Sequence, residues 1–230
     1  MSSVVVQCTN GIKEAMLELT PAFERQQKVT LDVAYGSTKI IMESIAAGAA
    51  ADLVILTSEA VEELIQQGTV KVGSRVDVAL SGIGVAVRKG APKPDISTAD
   101  ALKWAMLAAR KVSYSSVGAS GLYVSSTVIP RLGIVDEMKS RALIPKPGSF
   151  VGPLLASGEA DIGFQQISEL MPVPGIDIVG PLPPELQKMT VFAAGVCSGA
   201  KAPDAAKALA AYLAAPAALP VMKKHGLEAV

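Results

Sequence analysis

Short runs of consecutive hydrophobic residues alternate with segments in which hydrophobic residues recur every three or four positions. The first run covers residues 4–8, and a polar turn of Thr9, Asn10 and Gly11 follows it. The next hydrophobic positions have helical spacing: Ile12, Ala15, Met16, Leu19 and Phe23. This pattern predicts a buried β-strand that leads through a short turn into an amphipathic helix.

The same order of strand, polar turn and helix recurs along the chain. Further strands are predicted at residues 29–34, 52–56, 111–115, 160–164 and 176–179. Because strands that alternate with helices form parallel sheets with right-handed crossovers, we expect an α/β protein. Two more predicted strands, at 82–88 and 190–196, contain glycine, and we expect them to carry the chain from one lobe to the other and back.

These elements predict two lobes, each a mainly parallel sheet flanked by helices. The first lobe is expected to contain residues 1–83 and 192–230, and the second residues 84–191. A chain of 230 residues is long enough to bury a core in each lobe. Ligands of open α/β sheets bind beyond the carboxyl ends of the strands, so we expect a ligand cleft between the lobes.

The composition argues against several classes of partner. The chain has 21 basic and 21 acidic residues and only 4% aromatic residues, so it lacks the charge and the stacking side chains of a nucleic-acid-binding protein. No hydrophobic run approaches the roughly 20 residues of a membrane-spanning helix, so we expect no membrane insertion. The first strand follows Met1 without a signal-peptide pattern. We expect a cytoplasmic protein if Met1 is the natural start, and a periplasmic one if a signal peptide has been removed.

The chain has few residues of the types that hold metals or perform common enzyme chemistry. Cys8 and Cys197 lie on predicted strands without the spacing of a metal site, and we expect buried free thiols, although a disulfide stays open. The single histidine, His225, lies at the end of the last predicted helix. No phosphate-binding loop, zinc motif or hydrolase motif occurs, so we expect neither a metal nor another cofactor.

Four polar turns between a strand and a helix contain the candidate ligand-binding residues. The candidates are Thr9, Asn10 and Gly11; Ser37, Thr38 and Lys39; Ser120 and Gly121; and Gln165 and Gln166. Helix N-termini carry unpaired N–H groups and partial positive charge, so such turns favour an anion. Simpler interpretations stay open: Ser37 as a helix cap, Lys39 as a solvated surface residue, and the two glutamines as turn amides bonded to the backbone.

Four segments resemble the molybdate-binding family of type II periplasmic binding proteins. The resemblance is carried by residues 10–16, by 36–38 with 45–52, by 119–123 and by 161–166, and it extends over essentially the whole chain. It implies the two-lobed fold of that class and an oxyanion held by hydroxyl and N–H groups. Position by position, it assigns ligand contacts to Asn10, Gly11, Ser37, Thr38, Ser120, Phe150 and Gln166.

The sequence departs from the pattern of that family at two of these positions. Asn10 and Gly11 stand where a serine is usual, and Gln166 stands near the usual tyrosine. Lys39 also adds a charge that a pure oxyanion site of this family does not use. These departures weaken the case for molybdate itself as the ligand.

Three segments, 81–88, 91–96 and 163–183, resemble more specifically a branch of the family that includes aconitate isomerases. The resemblance implies an enzyme that moves a proton along the allylic system of aconitate and interconverts its cis and trans isomers. Such chemistry needs a base, donors for the developing charge and a closed cleft. In that case Lys39 and Tyr123 are the candidate catalytic proton carriers.

Functions from different classes therefore stay open. The first is a solute-binding protein of the ABC-transporter type, which holds a small carboxylate or oxyanion between its lobes and delivers it to a membrane transporter. The alternative is a cofactor-independent isomerase of the aconitate isomerase type on the same scaffold, and a regulatory ligand sensor is a third reading. In each case the partner is a small anion rather than a nucleic acid, and we expect a monomer that closes on its ligand.

Overall fold

The chain divides into two compact units, and two strands run from one unit into the other. A computed structural model describes residues 2–146 and 149–230. Unit 1 consists of Met1–Ser81 and Thr190–Val230, and unit 2 consists of Gly82–Met189. The lobe boundaries expected from the sequence lie two residues from those of the units.

Strands and helices alternate through most of the described residues. The strands are β1 (Ser2–Thr9), β2 (Val29–Gly36), β3 (Leu53–Thr57), β4 (Val76–Arg88), β5 (Val112–Tyr114), β6 (Ala142–Leu143), β7 (Ile162–Gln166), β8 (Ile176–Pro181) and β9 (Met189–Val196). The helices are α1 (Lys13–Gln27), α2 (Thr38–Ala46), α3 (Ser58–Gln66), α4 (Ala99–Ala108), α5 (Ala119–Tyr123), α6 (Ile129–Leu132), α7 (Val135–Arg141), α8 (Val151–Ala156), α9 (Ile167–Leu170), α10 (Pro203–Ala214) and α11 (Leu219–Lys224). Two 3-10 turns (Asn10–Ile12 and Pro216–Ala218) and a π-helical segment (Val124–Val128) complete these elements.

Unit 1 is built on β2, β1, β3 and β9, which neighbour one another in that order. β1 is parallel to β2 and to β3, whereas β9 is antiparallel to β3. Alternate residues of a strand point to opposite faces, so Val6 and Cys8 pack with α1 and α10, while Val54 and Leu56 pack with α2 and α3. The carboxyl ends of the three parallel strands therefore lie at one edge of the sheet.

Unit 2 is built on β4, β7, β5 and β6, with β8 also paired to β4. β5 is parallel to β6 and β7, whereas β4 is antiparallel to β7 and β8. Val112 and Phe164 pack with Leu102 and Met106 of α4 in the core of this unit. The α/β fold is confirmed, and its antiparallel pairs occur where β4 and β9, the strands that cross between units, join their neighbours.

Short elements and one long helix differ from the sequence-based prediction. β6 has 2 residues and α9 has 4, which is too few for a periodic pattern to appear. Pro21 predicts that the first helix restarts or kinks there, but α1 runs through it from Lys13 to Gln27. Proline removes one backbone donor from the helix, and the neighbouring Thr20 Oγ1 is buried without a hydrogen-bond partner among the described atoms.

Within residues 2–146 and 149–230, no single helix is long and apolar enough to cross a membrane. One bent pair, Pro203–Ala214 with Pro216–Lys224, meets that test by length and composition alone. The apolar face of α10 is occupied in unit 1, because Leu209 and Leu213 are buried in its core.

Both cysteines are free, buried thiols in unit 1, on opposite faces of its sheet. Burial raises the pKa of Cys8 far above the ordinary thiol value, and burial together with Asp52 raises the pKa of Cys197 to about 11. Because the thiolate is the reactive form, we expect both thiols to react with a colorimetric disulfide reagent at pH 8 at least about 100-fold more slowly in the folded protein than in urea. Stopped-flow absorbance measures both rates. Rapid labelling of Cys8 in the folded protein would contradict its burial.

Candidate functional site

The carboxyl ends of three neighbouring strands form a donor-rich edge in unit 1. β1 ends at Thr9, β2 at Gly36 and β3 at Thr57, and a helix or helical turn begins within two residues of each strand end. Thr9 lies opposite Gly36 in the strand register. Helix starts present unpaired N–H groups, so this edge, which we call the unit 1 edge, combines backbone donors with hydroxyl groups.

The first two predicted turns lie side by side at the unit 1 edge. Thr9 is buried, and its Oγ1 lies 3.5 Å from Oγ1 of Thr38, the first residue of α2. Gly11 lies against the ring of Phe192: a Cβ at Gly11 would be 2.3 Å from Phe192 Cζ, so glycine is required there. Asn10, half-buried, connects Thr9 to Gly11. The structure thus brings these predicted residues together.

Ser37 and Lys39 flank Thr38 but have different surroundings. Ser37 Oγ caps α2 by accepting a hydrogen bond from the Ile40 N–H at 3.3 Å. This bond leaves the hydroxyl proton of Ser37 available to a ligand. Lys39 is exposed in the first turn of α2, and its ammonium group pairs with none of the described side chains.

Thr57 is a polar residue of this edge that the sequence-based prediction missed. It is the last residue of β3, it is 9% exposed, and its hydroxyl bonds to no other described residue. A serine directly after a strand is a typical helix cap, which predicts Ser58 as the cap of the next helix. In the structure α3 begins at Ser58, and the Ser58 hydroxyl bonds to Glu59. The available signal was the repetition of a threonine at the end of a buried strand, as at Thr9.

In unit 2, Ser120 and Gly121 lie in the first turn of α5. A Cβ at Gly121 would be 2.0 Å from the carbonyl oxygen of Ser115, so the helix approaches the end of β5 more closely than any other residue permits. Ser115 Oγ accepts the N–H groups of Val117 and Gly118 and fixes the intervening turn. The Ser120 side chain is 2% exposed, and its hydroxyl bonds to nothing else in the described chain.

Tyr123 ends α5 and is half-buried. The ammonium group of Lys188 lies 5.7 Å from the centre of its ring, which is cation–π distance. Ser120 and Tyr123 both lie on the short helix α5. The ring of Tyr123 contacts the ammonium group of Lys188.

Gln165 and Gln166 end β7, and both are buried. Gln165 Oε1 accepts the N–H of Val151 at 3.0 Å, and the Gln165 amide nitrogen donates to the carboxylate of Glu169. Both ends of the Gln165 amide are thus engaged inside unit 2. Phe150 immediately precedes Val151, is half-buried, and lines a cavity of about 520 Å³.

Glu169 is a second residue that the sequence-based prediction missed. Its carboxylate accepts the Gln166 N–H, as the third residue of a helix does in a capping box, and it also accepts from the Gln165 side chain. Desolvation by burial nevertheless raises the pKa of Glu169 to about 7. The spacing of Gln166 and Glu169 was the only signal in the sequence, and it does not reveal burial.

The two units offer hydroxyl, amide and backbone donors rather than metal ligands. Among the residues that the structure describes, no group of three or more His, Cys, Asp or Glu side chains could hold a metal ion. Hydroxyl and N–H donors at helix starts suit an anion that needs directional hydrogen bonds.

Two proteins of known description are similar to this chain in sequence. An aconitate isomerase from a Pseudomonas species is 40% identical over 235 aligned positions, which cover 100% of this chain and 89% of that protein. A putative ABC transporter substrate-binding lipoprotein from Bacillus subtilis strain 168 is 21% identical over 229 positions, which cover 99% of this chain and 86% of that protein.

The solved structure of the periplasmic molybdate-binding protein of Azotobacter vinelandii has a TM-score of 0.81 to this chain at 21% identity, with coverage of 97% of this chain and 98% of that one. The likeness confirms the fold of type II periplasmic binding proteins. The family profile described as bacterial extracellular solute-binding protein matches residues 4–228, nearly the whole sequence. The chain belongs to the family of bacterial extracellular solute-binding proteins.

Proposed function

We propose that this protein binds a small anion, a carboxylate or an oxyanion, through uncharged donors. The observation that carries this function is Ser120, whose side chain is 2% exposed at the start of α5 and whose hydroxyl bonds to no other described residue. A ligand that accepts a hydrogen bond from this hydroxyl gains about 0.5–1.5 kcal/mol. Thr57, which is 9% exposed, offers a second hydroxyl at the unit 1 edge.

The names of the relatives support an anion as the ligand and a transporter as the partner. Molybdate and aconitate, the compounds in two of these names, are both anions. The Bacillus relative is described as the substrate-binding lipoprotein of an ABC transporter. Asn10 and Gln166 stand where the molybdate-binding pattern has a serine and a tyrosine, and this difference weakens the case for molybdate itself.

A second candidate function is the isomerisation of aconitate, which the 40% identity over the whole chain favours. The reaction removes a proton from the methylene carbon, and the charge spreads over the allylic system and its carboxylates until a proton returns at the other end. Lys39 is exposed and Tyr123 lies against a cation, so Tyr123 is the better placed of the two predicted carriers. Hydroxyl and amide donors stabilise the carbanion that forms.

Thermal unfolding with single anions tests the binding function. We expect trans-aconitate or molybdate at 100 times its Kd to stabilise the fold by about 2.7 kcal/mol, which raises the midpoint by roughly 5–11 °C at this chain length. Ser120→Ala and Thr57→Val are expected to reduce the shift, whereas the control Ser140→Ala, on the exposed side of α7, keeps it. No shift with molybdate, sulfate, citrate or either aconitate isomer would refute the binding function.

A turnover assay separates the two candidates. Chromatographic separation of cis- and trans-aconitate after incubation with the protein measures isomerisation directly. Turnover that Tyr123→Phe abolishes, with binding retained, supports the isomerase. Stabilisation by an anion without turnover leaves the solute-binding function.

A further inference from the structure

An exposed lysine lies over the ring of the tyrosine that ends α5. Lys188 belongs to the segment between β8 and β9, and its ammonium group lies 5.7 Å from the centre of the Tyr123 ring. Tyr123 and Ser120 are three positions apart in α5, so their side chains are neighbours on one side of that helix. The same side of α5 therefore carries the buried Ser120 hydroxyl and the ring over which the ammonium group lies.

The backbone at Lys188 is held against β4. Gln187 Oε1 accepts the Ile83 N–H at 2.9 Å, and Gln187 Nε2 donates to the Ile83 carbonyl oxygen at 3.0 Å. The same Oε1 atom accepts the Lys188 N–H at 3.1 Å. Leu186 is 2% exposed in the core of unit 2, against which Tyr123 also packs. The start of the Lys188 side chain therefore has a fixed place relative to α5.

The helix that begins with α5 is distorted directly after Tyr123. Val124–Val128 form the π-helical segment, and α6 continues the helix from Ile129. Ser120 and Tyr123 lie in the regular turn immediately before this segment. Because π-helical turns within α-helices are rare and frequently lie at functional sites, this position favours a ligand-binding role for the Ser120 hydroxyl.

We propose that Lys188 is a ligand contact that makes the site in unit 2 selective for anions with more than one carboxylate: Ser120 donates to one carboxylate, and the Lys188 ammonium group pairs with another. This assignment rests on the anion-binding function proposed above. The ammonium group has three donors on a flexible four-carbon stem, so it can leave the ring and turn to a carboxylate. A charge-assisted hydrogen bond is stronger than an exposed cation–π contact, so the exchange is favourable.

The contact distinguishes two kinds of anion. Hydroxyl and N–H donors hold a compact oxyanion such as molybdate without a formal positive charge. A tricarboxylate such as trans-aconitate extends beyond those donors, and its further carboxylates need partners of their own when they leave water. The Lys188 ammonium group is such a partner. We therefore expect its charge to matter for the tricarboxylate and to matter little for molybdate.

Titration calorimetry with trans-aconitate and molybdate tests the assignment in the wild type, Lys188→Gln, Lys188→Arg and Lys89→Gln. Lys188→Gln removes the charge, and Lys188→Arg keeps it. Lys89→Gln is the matched control, because it removes the same charge from an exposed position of unit 2 directly after β4. The two glutamine variants have equal net charge, so a difference between them reports the position of the lysine. Urea midpoints without an anion show whether each variant folds like the wild type.

We expect Lys188→Gln to bind trans-aconitate at least about tenfold more weakly than the wild type, Lys188→Arg to recover most of that loss, and Lys89→Gln to stay within about threefold of the wild type. For molybdate, the loss in Lys188→Gln should stay below about threefold.

Three results overturn the assignment and leave anion binding intact: an unchanged Kd for trans-aconitate in Lys188→Gln, an equal loss in Lys89→Gln, or an equal loss for molybdate. A wild type that binds molybdate but not trans-aconitate overturns it in the same way. A wild type that binds neither anion overturns the proposed function and the assignment together.

Protection from acetylation gives a readout that needs no substitution. A carboxylate that pairs with the ammonium group keeps it protonated and covers it, so acetic anhydride reaches it less readily. Saturating trans-aconitate should slow the acetylation of Lys188 at least about fivefold and leave that of Lys89 unchanged, as measured by mass spectrometry of peptides. Equal acetylation of Lys188 with and without trans-aconitate, in a protein that binds this anion, overturns the assignment.

Discussion

Replacing Gly121 by alanine should destabilise the protein by about 3 kcal/mol and abolish stabilisation by anions. In an ordinary helix the same change gains about 0.5–1 kcal/mol, because alanine is the better helix former. Here the new Cβ would lie 2.0 Å from the carbonyl oxygen and 2.5 Å from the nitrogen of Ser115. Both are backbone atoms, so α5 must move away from the end of β5, and the Ser120 hydroxyl must move with it.

Gly118→Ala is the matched control for this prediction. Gly118 lies in the same turn with φ of −83°, and a Cβ there would meet only the Ser115 side chain, with Oγ at 3.4 Å and Cβ at 3.5 Å, which are ordinary contacts. We expect its cost to stay below about 1 kcal/mol. Urea denaturation measures both variants, and thermal unfolding with trans-aconitate measures the anion effect. Equal stability of the two variants would contradict the close approach of α5 to β5.

The polar turns that follow the strands, with their glycine and hydroxyl residues, were predictable because the signals that mark them are local in the sequence. The change from consecutive to periodic hydrophobic positions marks the end of β1, and the small polar residues that follow mark the turn. Gly11 shows where this information stops: the sequence indicates a tight turn, but the ring that forbids a Cβ belongs to Phe192, on a strand near the other end of the chain.

The residues that the sequence-based prediction missed derive their properties from tertiary contacts. The sequence indicates only that Thr57 ends a strand, and its low exposure and the lack of a side-chain cap bond to α3 emerge from the tertiary structure. Glu169 reads as a surface residue of a short helix, and its raised pKa follows from desolvation that no local pattern encodes. For Gln165 the sequence left two readings open, a ligand donor and a turn amide bonded to the backbone, and only the tertiary structure shows that its oxygen accepts the Val151 N–H, 14 positions away.

Asp52 gives the second large expected effect, because one carboxylate satisfies backbone donors from two distant segments of unit 1. It is 4% exposed, and its oxygens accept the N–H groups of Val5 at 2.8 Å, Lys201 at 2.5 Å and Ala202 at 3.0 Å. Burial alone would raise the pKa of Asp52, but the bonds from Val5, Ala202 and Lys201 outweigh it and lower the pKa. The carboxylate thus ties the first strand to the loop before α10.

Asp52→Ala should lower the free energy of unfolding by about 3 kcal/mol at pH 7, because each buried N–H without an acceptor costs about 1–3 kcal/mol. A cavity of about 290 Å³, lined by Val5, Asp52 and Lys201, admits water that recovers part of this cost. Asp52→Asn should cost less, since the Asn oxygen can still accept two bonds and only Val5 faces an amide nitrogen. The control Asp32→Asn, at an exposed position of β2, should stay within about 0.5 kcal/mol of the wild type.

A lowered carboxyl pKa stabilises the fold above the unfolded value of 3.8, so the difference in unfolding free energy between the wild type and Asp52→Ala should shrink as the pH falls below about 4. Urea denaturation at pH 7 and pH 3 measures this difference, and a difference that does not change with pH would mean that the Asp52 charge contributes nothing to the tie.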